Sequence, residues 1–175
     1  ITMKTGNKIF GIIPARGGSK SIPRKNIKLL AGKPLIAWTI LEAKKSKHIN
    51  RLIVSTDDKE IAEVAKKYGA QVPFLRPKEI SGDRAHDMEF YLHALDFLKR
   101  EENYEPDLIL RLAPTSPLRR AASIDEGIEV MIKNPEADSA RSVIETSKHP
   151  FKMYRLSSDK NYIEPFLSES FTQMR

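Results

Sequence analysis

The sequence predicts a doubly wound α/β domain, a mostly parallel, Rossmann-like sheet with helices on both faces. Three observations carry that expectation. Short apolar runs without polar alternation recur along the chain, as strands covered on both faces require. Between them lie stretches whose apolar residues fall at helical spacing. The loops richest in glycine, proline and charge follow the strands, at the sheet edge where such folds bind ligands. At 175 residues and 40% hydrophobic content, one domain can bury roughly 70% of its unfolded surface. Residues 8–175 are read as that domain. Residues 1–7 are read as a tail, with Ile1 and Thr2 a remnant ahead of Met3.

Each element has its own signal. Ile9–Ile13 is a first strand, apolar throughout and stopped by Pro14. Pro34 suits the first position of a helix running to about Lys45. Leu35, Ile36, Trp38, Ile40 and Leu41 make that helix apolar around most of its circumference, which places Trp38 in the core. Arg51–Ser55 is a second strand. Asp57 or Asp58 caps the next helix, where Ile61, Val64, Ala65 and Tyr68 fall at i, i+3, i+4 and i+7. Gly69 closes that helix at a left-handed position. Val72–Leu75 reads as a short third strand, and a helix follows from about His86 to Glu101. Leu108–Leu112 is another buried strand, Ala121–Lys133 another helix, and Ser139–Ile144 a final strand. Helices of this length between strands imply parallel pairing with right-handed crossovers.

Composition narrows the function. Zero cysteines exclude disulfides, thiolate metal sites and a cysteine nucleophile, and suit a reducing cytoplasm. No apolar run approaches the length of a membrane span. A net charge of +7 points to an anionic partner. The basic residues lack the interleaved aromatics that stack bases, which argues against nucleic acid. The four histidines (His48, His86, His93 and His149) show no metal-ligand spacing and read as structural.

The densest signal is the loop after the first strand, from Pro14 to Asn26. Gly17 and Gly18 are expected to take positive φ and bring backbone N–H groups to a ligand. Arg16, Lys20, Arg24 and Lys25 surround them with full charges. A nucleoside triphosphate is the natural guest. The spacing matches neither GxxxxGK[ST] nor GxGxxG, so a solvated surface loop stays open on the residues alone.

Three segments together resemble the acylneuraminate cytidylyltransferase family, whose members make CMP-sialic acid and related CMP-sugars. They are Pro14–Asn26 continuing to Ile36, Ile53–Asp57, and Leu112–Arg119; the likeness runs from about Lys8 to Tyr154. The resemblance implies that a hydroxyl of an acidic nine-carbon sugar attacks the α-phosphate of CTP, and pyrophosphate leaves with the help of Mg²⁺. It implies catalytic roles for Arg16, Lys20 and Lys25 on the triphosphate. Ala15, Gly17, Gly18, Ser19, Asn26, Arg76 and Asp83 would bind the nucleotide, and Ala113, Thr115, Ser116 and Arg119 would line the sugar side. A homodimer, a cytoplasmic setting and a product destined for surface glycans such as lipopolysaccharide or capsule complete the implication.

The match breaks in two places. The family commonly has glutamine where this chain has Ala113, so a different or less polar substituent would be read there. Sialic, legionaminic and pseudaminic acids all stay open. The metal-binding aspartates of the family belong to a later segment, so Mg²⁺ ligands are expected beyond residue 175 and the chain reads as truncated. Two rivals remain: a nucleotidyltransferase for another sugar or base, and a nucleotide- or nucleic-acid-binding module without catalysis.

Overall fold

The computed structural model describes residues 7–19, 21–82, 85–143, 154–158 and 163–165. Contacts divide the chain into two compact units, Ile1–Ala140 and Arg141–Arg175. In the second, β6 (Tyr154–Leu156) and β7 (Ile163–Pro165) form an antiparallel pair, with Arg155 opposite Glu164.

The first unit is built around β1 (Ile9–Pro14), whose first five residues are buried. After it come a two-stranded hairpin, β2 (Leu29–Leu30) with β3 (Lys33–Pro34), and helix α1 (Leu35–Lys44). Then follow β4 (Arg51–Ser55), α2 (Lys59–Lys67), α3 (Asp87–Glu102), β5 (Leu108–Arg111) and α4 (Ala121–Lys133). The sheet order is β4-β1-β5, all parallel, with Ile12 level with Ile53 on one side and Arg111 on the other. The chain moves outward from β1 to β4, then crosses back to β5 on the far side of β1. That reversal opens a crevice at the carboxyl ends of β1 and β5.

Because side chains alternate along a strand, an unbroken apolar strand feeds two cores. Ile9 and Ile13 pack with Ile36 and Ile40 of α1, Ile61 and Ala65 of α2, and Ile124 and Ile128 of α4. Phe10, Ile12 and Ile53 turn the other way, onto Phe90, Ala94 and Leu98 of α3. Helices on both faces are what the sequence predicts, and each fully buried Ile, Leu or Phe adds about 1.5–3 kcal/mol. Two carboxylates tie α1 to α4. Glu42 accepts from the N–H of Ala121 at 3.0 Å, while the buried Asp125 accepts from the Ser46 hydroxyl at 2.5 Å and from the N–H of Lys47 at 3.1 Å.

Asp58 caps α2, its carboxylate accepting from the N–H of Ile61 at 3.0 Å, and Gly69 has φ 91° as expected. Four expectations are corrected. Val72–Leu75 is not a strand: Gln71 alone bridges to Ile53, and Pro73, having no N–H, cannot extend the ladder. Residues 139–143 form no strand either, and Val143 is 85% exposed with nothing apolar covering it among the described residues; Ile144 lies outside them. β5 pairs only with β1 among the described strands, which leaves Ile109 42% exposed rather than buried. Trp38 is half-buried beside the hairpin, donating to the carbonyl of Leu30 at 2.9 Å with Lys33 Nζ 4.7 Å from its ring centroid. The tight turn under it needs positive φ at both central residues, Ala31 (47°) and Gly32 (79°).

Candidate active site

An open cleft of about 480 Å³ lies at the carboxyl ends of β1 and β5. The loop after β1 contributes Arg16, Ser19, Ser21, Lys25 and Asn26, and the segment after residue 75 contributes Arg76, Ile80 and Gly82. The start of α3 brings Ala85, His86, Asp87 and Phe90, and the end of β5 brings Arg111, Ala113, Pro114 and Thr115. Arg16, Lys25, Arg76 and Arg111 thus face one carboxylate, Asp87, across the same space. An excess of cations in a concave, partly dehydrated site concentrates positive potential and favours a polyanion.

The loop after β1 is shaped by its own hydrogen bonds. Asn26, 6% exposed, donates from its side-chain amide to the carbonyl of Arg16 at 3.0 Å, closing the loop across ten residues. The Arg16 guanidinium donates to the Gly82 carbonyl at 3.0 Å and so spans two walls of the cleft. Gly17 donates its N–H to Asp57 at 2.9 Å. A Cβ on Gly17 would stand 2.8 Å from Asp58 Oδ2, so glycine is required here by close approach. The expected positive φ is not the reason: among described glycines only Gly32 and Gly69 have it, and Gly18 has open space where a Cβ would go.

Arg24 also departs from expectation. It turns away from the cleft and ion-pairs with Asp58 and Glu60, two carboxylates at the start of α2. Those pairings hold its pKa above the usual guanidinium value, the hydrogen bond to Asp58 first. Asp57 and Asp58 are accordingly occupied with the Gly17 N–H, the α2 cap and Arg24. Among the described residues no group of three or more His, Asp or Glu converges to hold a metal. These residues do not furnish a Mg²⁺ cage.

Arg76 is 7% exposed, yet it lines the cleft. Its guanidinium donates to Ser55 Oγ at 3.1 Å and to the Ser55 carbonyl at 2.5 Å, and lies 5.1 Å from the Phe90 ring centroid. Burial pulls its pKa below the usual guanidinium value, with Asp57 opposing. A rigid, fixed donor results, anchored on β4 and packed on α3.

The structure brings Arg16, Ser19, Lys25, Asn26, Arg76, Ala113 and Thr115 of the expected site residues to the cleft wall. Ala15 is 1% exposed and packs in the core with its N–H on the Ser55 carbonyl. Gly17, Gly18, Ser116 and Arg119 are outside the walls; Arg119 donates to the Ala113 carbonyl at 3.4 Å. Lys20 and Asp83 lie outside the described residues. His86, read as structural, lines the cleft, as do Asp87, Phe90, Ser21 and Arg111, which sequence reasoning passed over. Arg111 did leave a signal: a cation ending an otherwise apolar strand, one residue before the Leu112–Arg119 segment.

A sequence model of the cytidylyltransferase family matches residues 10–160. The chain belongs to that family. A CMP-N,N'-diacetyllegionaminic acid synthase from Legionella pneumophila is 39% identical over 160 residues, covering 91% of this chain and 68% of that protein. A pseudaminic acid cytidylyltransferase from Campylobacter jejuni is 44% identical over 123 residues, covering 70% of this chain and 53% of that protein. This cytidylyltransferase chain therefore spans about half to two thirds of their length. Its fold also matches a solved CMP:2-keto-3-deoxy-manno-octonic acid synthetase complexed with CTP, at TM-score 0.61 and 21% identity, over 73% of this chain and 48% of that one. The α/β nucleotidyltransferase fold expected from the sequence is the fold observed.

Proposed function

We propose that this cytidylyltransferase activates an acidic nine-carbon sugar with CTP. A sugar hydroxyl attacks the α-phosphorus, its proton is released, and the bond from that phosphorus to the bridging oxygen breaks as pyrophosphate leaves. The observation that carries the reading is the cluster of Arg16, Lys25, Arg76 and Arg111 around one crevice at the sheet's reversal point. Such chemistry asks a protein for positioning and charge neutralisation more than for acid–base groups. Arg16, Lys20 and Lys25 hold the triphosphate in this reading and stabilise charge on the departing pyrophosphate. Ser19 and the backbone around Gly17 and Gly18 border the phosphates, Ala15 and Asn26 the nucleoside, Arg76 and Asp83 the base side. Ala113, Thr115, Ser116 and Arg119 belong to the sugar side, which takes a sialic, legionaminic or pseudaminic type of acid.

Mg²⁺ accompanies the triphosphate in this proposal, held by carboxylates outside the described residues. A cytoplasmic setting and a homodimer belong to the same reading, and light scattering on the purified chain tests the dimer. The reading itself is tested by thermal unfolding with Mg²⁺ and each of CTP, UTP, GTP and ATP. CTP at a hundred times its dissociation constant adds about 2.7 kcal/mol, or about 5–10 °C. A shift with another nucleotide in place of CTP changes the base. No shift with any of the four refutes the reading.

A further inference from the structure

The geometry points to Arg111 as the residue that receives the sugar's carboxylate, aimed by Asp87, with Arg119 serving only to position the wall beside it. This inference rests on the proposed reaction and names the group that selects its second substrate. Arg111 ends β5, and Ala113, Pro114 and Thr115 just beyond it line the same cleft, whereas the intervening Leu112 is 1% exposed and turned into the core. The stripe offers a guanidinium at one end, a hydroxyl at the other and only the Ala113 methyl and the Pro114 ring between them. That is the order of features an acidic polyol would meet.

Asp87 pairs with Arg111 at 3.0 Å through one nitrogen, and both side chains are about half exposed, 61% and 47%. A pair this exposed is weak, so it orients the guanidinium without consuming it. Among the described residues Asp87 is the carboxylate paired with Arg111, which leaves N–H donors for a fork-shaped contact with a second carboxylate. Arg119 sits outside the cleft wall and spends a donor on the Ala113 carbonyl. Burial and the nearby Arg111 both lower the Arg119 pKa. Two guanidiniums and one facing carboxylate leave the corner net positive.

The test uses the chain saturated with CTP and titrated by calorimetry. The probes are N-acetylneuraminic acid and N,N'-diacetyllegionaminic acid, each as free acid and as methyl ester. The wild type is expected to prefer one of the acids over its ester by about 10–100-fold, the range of charged hydrogen bonds. Arg111→Ala should bring that preference to about 1 while CTP still raises the melting temperature. Arg111→Lys should keep part of the preference, as a point charge does. Asp87→Asn should weaken acid binding while the ester is held as before. An Arg111→Ala variant that still prefers the acid overturns the assignment, as does a CTP-binding wild type that treats acid and ester alike or binds neither. Absence of a CTP shift in the wild type refutes the proposed reaction instead, which separates the two failures.

Discussion

Asp58→Ala gives the sharpest test of how the fold shapes the loop after β1. The carboxylate caps α2 through the Ile61 N–H at 3.0 Å, holds Arg24, and packs against Gly17 closely enough to forbid a Cβ there. Losing a cap costs about 1 kcal/mol, and the ion pair, with Arg24 42% exposed, adds about 0.5 kcal/mol, so the melting temperature should fall by about 3–6 °C. Asp58→Asn keeps an acceptor for Ile61 and gives up only the charge, so its cost should be about 0.5 kcal/mol, or about 1–2 °C. The loop also loses the seat of Gly17. If one residue must then be ordered on binding, at about 1 kcal/mol, CTP affinity should drop about fivefold. Differential scanning fluorimetry of the three proteins, with and without CTP, reads both effects. The reasoning is refuted if Asn and Ala are equally damaging, or if Asp58→Ala melts normally and binds CTP as the wild type does.

Other outcomes follow from the same contacts. Arg16→Ala and Lys25→Ala should each weaken CTP binding about tenfold or more, the worth of a charged hydrogen bond, with normal melting; unchanged calorimetric affinity removes that residue from the cradle. Asn26→Ala leaves the Arg16 carbonyl without its amide partner and should cost about 1–3 kcal/mol of stability, measurable by urea unfolding; a loss below about 0.5 kcal/mol would show that the loop closes without it. Gly69→Ala places a Cβ 2.1 Å from Lys44 Nζ at φ 91° and should cost about 1–2 kcal/mol, with wild-type stability as the contrary result. Acid should destabilise the fold through Glu42 and Asp58. Bonds from Lys45 and Ala121 hold Glu42 below its ordinary 4.5. For Asp58, burial opposes ionisation, but Ile61 and Arg24 more than offset it and leave the carboxyl below its ordinary 3.8. Groups depressed in the folded state contribute stability above their ordinary values and lose it as pH falls through the folded ones. Melting between pH 6 and 2 should therefore fall less steeply in Glu42→Gln/Asp58→Asn; parallel curves would remove both carboxyls from the acid response.

The sequence made the central strand, the four helices and the cation-rich loop at the cleft legible because each depends on local rules. Unalternating apolar residues mark β1, helical spacing and a cap mark α2, and a cation-rich loop after a strand marks the cleft. What escaped depends on neighbours. Val72–Leu75 has the residues of a strand, yet Pro73 removes the N–H that pairing needs. Trp38 falls on an apolar helix, but a half-buried position by the hairpin gives its indole N–H a carbonyl. Arg24 and Arg119 are cations in the right segments whose partners, Asp58 and the Ala113 carbonyl, only folding reveals. Arg111 was hidden the other way: one arginine in an apolar strand reads as noise until the sheet shows that its end opens on the cleft.

The exchange of carboxylates between α1 and α4 has a mechanical meaning. α1 follows the loop proposed to grip phosphate, and α4 follows the segment proposed to grip sugar. Glu42 reaches the first residue of α4, and Asp125 reaches back to the chain leaving α1. The two grips are thereby mounted on one brace, and the gap between nucleophile and phosphorus becomes a dimension of that brace. Neither Glu42 nor Asp125 lines the cleft, yet an error of about 1 Å in such a gap can slow a reaction about a hundredfold. On the proposed reaction, Glu42→Gln or Asp125→Asn should therefore slow turnover from behind the sheet, through residues outside the cleft wall.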